Sequence, residues 1–103
     1  MIRVGLALGV RLGVAIGLLA GCGGSLPTAT ATDASRAHVE LADLHHGRSL
    51  LAAKCSNCHR PPLPTDHAAD EWPKKLDEMS ARANLDFMQQ HLIEEYLVVM
   101  AAR

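Results

Sequence analysis

Cys55-Ser56-Asn57-Cys58-His59 combines two thiols and an imidazole within five residues. The pattern reads C-x-x-C-H, the spacing used to attach a c-type haem. Two thiols at this spacing can each add across one vinyl group of the same porphyrin. The imidazole that follows is then placed to bind the iron from one face. The motif predicts one covalently bound haem c, held by Cys55 and Cys58, with His59 as the proximal iron ligand. No second C-x-x-C-H occurs, so one haem is the limit.

Other uses of two thiols fit less well. A structural zinc site needs four ligands, and the sequence holds a single C-x-x-C. A thioredoxin-like dithiol belongs beside a βαβ pattern, and no strand pattern is visible.

The elements around the motif must bring it to an oxidising compartment and cover the ring. Arg3 opens the chain, and residues 4–20 are mostly Val, Leu, Ile, Ala and Gly, interrupted by Arg11. This run is short for a membrane span. It ends in Leu19-Ala20-Gly21-Cys22, which resembles a bacterial lipoprotein signal cleaved before Cys22. That resemblance implies a signal peptide over 1–21, acyl chains on Cys22, and a periplasmic protein anchored to a bacterial membrane by lipid. The three cysteines are then all used, one by lipid and two by haem. Export and haem attachment support each other, because bacterial c-type haem is attached outside the cytoplasmic membrane.

Residues 23–32 carry Gly, Ser, Thr, Ala, Leu and Pro with no charge. They read as a flexible tether, giving a tether over 22–36 and a folded domain over 37–103. Aromatics make up only 3% of the 103 residues. So small a domain struggles to build a sufficient core alone, and a macrocycle would add apolar surface. The formal net charge of −1 gives no indication of a nucleic-acid partner.

Three main helices are expected in an all-α domain. Asp33 or Ser35 caps the first, which runs towards Ala53 with Val39, Leu44, Leu50 and Leu51 inward. Gly47 inside it either permits a close helix crossing or breaks the helix. Three prolines within Pro61-Pro62-Leu63-Pro64 exclude a helix there. Asp70 is a candidate cap for the second helix, with Pro73 in its first turn. Trp72, Leu76 and Met79 share one face of it, and Asn84 helps to end it. The third helix spans about 86–101, with Met88, Leu92, Tyr96 and Val99 in one stripe, widened by Ile93, Leu97 and Met100.

The stretch from Gly47 through Leu51 to Cys55-x-x-Cys58-His59 resembles the start of class I c-type cytochromes. In that family a glycine-bearing helix leads into the haem motif, and Leu51 stands where an aromatic is common. The resemblance implies a small cytochrome c-like fold of three main helices around the haem. The last helix would cross the first with Tyr96 near Gly47. A proline carbonyl, from Pro61, Pro62 or Pro64, would accept the second ring N–H of His59. By family position Met79 becomes the candidate distal iron ligand, and His/Met ligation raises the reduction potential. His67, His38, His45, His46 and His91 are the rival ligands. The implied activity is electron transport between redox partner proteins, not enzymatic turnover. Lys54, Arg60, Lys74 and Lys75 are candidates for steering an acidic partner. A haem enzyme or gas sensor with an open sixth position is the alternative. A second is a lipoprotein with a structural or metal-handling role and no haem.

Overall fold

The computed structural model describes residues 25–55 and 60–103. The expected signal peptide, Cys22, Cys58 and His59 lie outside the described residues. The described part is all-α. It contains helices α1 (Ala31–Ala37), α2 (Leu41–Cys55), α3 (Trp72–Ser80) and α4 (Phe87–Ala101), with two 3-10 turns, Pro64–Asp66 and Ala69–Glu71. No strand occurs among the described residues.

The core is a crossing of α2 and α4. Leu44, Gly47 and Leu51 form the buried stripe of α2. Against it α4 presents a wide buried face of Leu92, Ile93, Tyr96, Leu97, Val99 and Met100. Gly47 makes the crossing possible. A Cβ added there would overlap the Leu92 carbonyl oxygen and stand 3.0 Å from Tyr96 Cβ. The Gly47–Tyr96 approach expected from the sequence is therefore present. Trp72 and Leu76 of α3 close the core from the side, and both are buried.

Local signals start α3 and α4. Asp86 Oδ1 accepts from the Gln89 N–H at 2.8 Å, and Gln89 Oε1 accepts from the Asp86 N–H at 3.0 Å, so α4 starts on a reciprocal capping box. Pro73 stands in the first turn of α3, where its missing N–H costs nothing. Asn84 takes a left-handed backbone, φ 57°, beyond the end of α3.

The first expected helix is two. Thr30, not Asp33 or Ser35, caps α1, and Asp33 closes the box from the third position. His38 then turns left-handed at φ 57°. Its N–H reaches the Ser35 carbonyl at 3.3 Å, and the Val39 N–H reaches the Ala34 carbonyl at 3.0 Å. This closure ends α1 and redirects the chain into α2. Nor is Asp70 a cap. It lies within the 3-10 turn Ala69–Glu71, where Glu71 accepts the Ala68 N–H at 2.9 Å.

The tether expected over 22–36 is corrected from residue 25 onward. Leu26 and Ala29 are buried in the same core as Tyr96 and Met100. Arg48 donates twice to the Leu26 carbonyl, at 3.0 and 2.8 Å. The Tyr96 hydroxyl donates to the Pro27 carbonyl. His45 Nε2 donates to the Ala29 carbonyl at 3.0 Å. Small uncharged residues resemble a linker by composition, but here their carbonyls meet long-range donors. The packed domain starts twelve residues before the expected 37.

A second correction concerns Met88. It was expected in the buried stripe, yet it is 60% exposed, and its neighbour Phe87 is 78% exposed. The crossing with α2 is centred on Leu92 and Tyr96, so the first turn of α4 projects beyond it.

Candidate functional site

Helix α2 carries the motif to the edge of the core. Leu44, Gly47, Leu51 and Cys55 recur at helical spacing, so Cys55 continues the buried stripe at its last turn. Cys55 is half-buried and packs against the core. Burial pushes its thiol pKa up, because an apolar surrounding disfavours the thiolate. Cys58 and His59 follow directly and lie outside the described residues.

The chain is described again from Arg60. Residues 60–63 form no helix or strand, and Leu63 is extended before the turn that Pro64 begins. The Leu63 N–H donates to Asp66 Oδ2 at 2.9 Å and starts the first 3-10 turn. Trp72 then fixes this segment to α3. Its Nε1–H donates to the Pro64 carbonyl at 3.0 Å, in a buried bond. Of the three proline carbonyls considered as acceptors for His59, that of Pro64 is thus already engaged.

Met79 stands on α3 on the face that carries Trp72 and Leu76. Those two are buried, while Met79 is partly buried at the rim. Cys55, Leu63, Met79 and Leu85 all lie at the rim of one core. This is apolar surface that the described residues cover only in part, and a macrocycle could cover it further. Of the residues expected to hold a haem, Cys55 and Met79 are described, and both are partly buried against this core.

The rival histidines have occupations of their own. His45 is bonded to the Ala29 carbonyl. His67 sets its ring edge-to-face on Trp72, with centroids 4.8 Å apart and planes at 87°. Its Nδ1 lies 4.0 Å from a Glu71 carboxylate oxygen, a contact that is ionic only when the ring is protonated. His38, His46 and His91 are exposed. Among the described residues no group of three or more His, Cys, Asp or Glu side chains is gathered to hold a metal ion. A metal or haem at Cys55 would therefore draw on Cys58 and His59.

Two residues take tertiary roles here that the sequence did not mark. Arg48 and Asp33 hold the N-terminal segment onto the helices. Asp33 is buried and accepts from Arg103 at 3.1 and 3.0 Å and from Arg36 at 3.1 Å. Arg103 above all, then the Thr30 N–H, hold its carboxyl well below the usual carboxylate range. The signal was the T-x-x-D spacing of Thr30 and Asp33, a capping-box variant. The partner Arg103, seventy residues away, had no local mark.

No helix among the described residues is long and apolar enough to cross a membrane. Comparison with known proteins gives no match to a family model, to a curated protein or to a solved structure.

Proposed function

We propose that the chain is an exported, lipid-anchored c-type cytochrome that carries single electrons between redox partners. One observation carries the reading. C-x-x-C-H begins at the last residue of a helix that crosses the C-terminal helix through a glycine, with Tyr96 at the contact. This is the arrangement that the cytochrome resemblance implies.

A haem bound there would supply an Fe(II)/Fe(III) couple. Cys55 and Cys58 would hold it through thioethers, and His59 would bind the iron. A carbonyl of Pro61, Pro62 or Pro64 would orient the His59 ring, that of Pro64 as a second bond beside the one it accepts from Trp72. Met79 would bind the other face, and its rim position on α3 suits a ligand that must reach out of the core. With both axial positions filled, no substrate binds and no general acid or base is required. Acyl chains on Cys22 would keep the protein at the periplasmic face of a membrane.

The visible spectrum of the exported protein in both oxidation states tests this reading. A c-type spectrum with the weak red band of iron–thioether ligation is expected, and Met79→Ala should lose that band. A spectrum unchanged by the substitution would reject Met79. Carbon monoxide binding by the unaltered protein would instead favour a sensor or enzyme.

A further inference from the structure

The docked N-terminal segment limits how the domain can sit on a membrane. Leu26 is 8% exposed and its carbonyl takes two Arg48 donors. Only Gly23, Gly24 and Ser25 stand between Leu26 and Cys22. A fully extended chain covers at most about 3.6 Å per residue, so Cys22 lies within roughly 14 Å of Leu26. A Gly/Ser tether long enough to let the domain swing freely is not available.

Where the segment enters the fold is also defined. Ser25 and Pro27 line a shallow groove with Leu63, Pro64, Thr65 and Met100. Its walls are mostly apolar, and Arg103 stands at its edge. The groove lies at the C-terminal end of α4. The exposed Phe87 lies at the other end of the same helix, about 20 Å away at 1.5 Å rise per residue.

We propose that this groove is a membrane-contact face, pressed against the bilayer by the short link from Cys22 to Leu26. The proposal rests on the lipid-anchor reading and extends it. The anchor fixes the orientation of the domain as well as its location. Leu63 also lines a neighbouring groove with Arg60, Pro61 and Pro62, the residues that directly follow His59. Residues 60–63 therefore border the membrane-facing side. Phe87 and Met88 face away from the bilayer.

Photo-crosslinking of the full lipidated protein in phosphatidylethanolamine–phosphatidylglycerol vesicles tests the orientation. Benzoylphenylalanine replaces Thr65 in one variant and Phe87 in another, both exposed positions. Phospholipid adducts are expected at position 65 and not at 87. Inserting about twenty Gly and Ser residues between Gly24 and Ser25, a flexible coil, should cause loss of the adduct at 65. The mass of the N-terminal peptide reports acylation separately. Acylated Cys22 with equal adducts at both positions, or none at 65, overturns the orientation alone. Cys22 without acyl groups overturns the anchor reading and the orientation with it.

Discussion

Gly47 lies beneath the Leu92 carbonyl, and no other residue fits there without moving a helix. A Cβ would stand 2.9 Å from the Leu92 carbonyl carbon and 3.0 Å from Tyr96 Cβ. Alanine would gain about 1 kcal/mol of helix propensity. Overpacking against backbone costs about 1–3 kcal/mol, and backbone cannot rotate aside as a side chain can. Gly47→Ala should therefore lower stability, by about 2 kcal/mol at the upper end of that range, in a denaturant titration. Asp33 governs the acid limb of stability. Its folded pKa lies below the unfolded value, so its stabilisation is complete above that value. It is lost as pH falls below about 4 and on through the folded pKa. The thermal midpoint should fall across that range, and Asp33→Asn should flatten the fall. Glu95 acts with the opposite sign. Burial pushes its carboxyl up, helped by the Asp43 charge and opposed by His91, so its protonation in acid favours the folded state. The difference between wild type and Asp33→Asn isolates the Asp33 contribution. Burial likewise pushes the Tyr96 hydroxyl up, to about 12, so it remains a donor to Pro27 throughout the neutral range.

The elements differ in how much of them can be read from sequence. Helix α4 was legible because its stripe is local, with apolar positions recurring at helical spacing. The non-helical run at 60–63 was legible because proline restricts backbone directly. The division of α1 from α2 was not, since it depends on a left-handed His38, a conformation uncommon for residues other than glycine. The docked segment at 25–30 was invisible for a different reason. Its carbonyls are satisfied by Arg48, His45 and Tyr96, sixteen or more residues away. Composition carries no trace of such partners. Arg48→Ala removes both donors from the Leu26 carbonyl, and a lost charge-assisted bond of this kind costs about 2 kcal/mol. Amide hydrogen exchange in residues 25–30 should accelerate more than in α4. Equal change across both elements would mean that the segment is held by Leu26 and Ala29 burial alone.

At the scale of the molecule, the helices make a small core with partly buried apolar side chains packed around it. The packing explains where Cys55 and Met79 stand, and the motif explains why they would matter. The proposed haem chemistry rests on Cys55-Ser56-Asn57-Cys58-His59 alone, because the spacing of thiols and imidazole is a covalent requirement. The account depends most on that haem. The intact mass of the exported protein, expressed with a cytochrome c maturation system and measured under denaturing conditions, tests it directly. The account predicts one haem retained on the unfolded chain, and none on a Cys55→Ala, Cys58→Ala double variant. An exported chain whose mass shows no haem would contradict it.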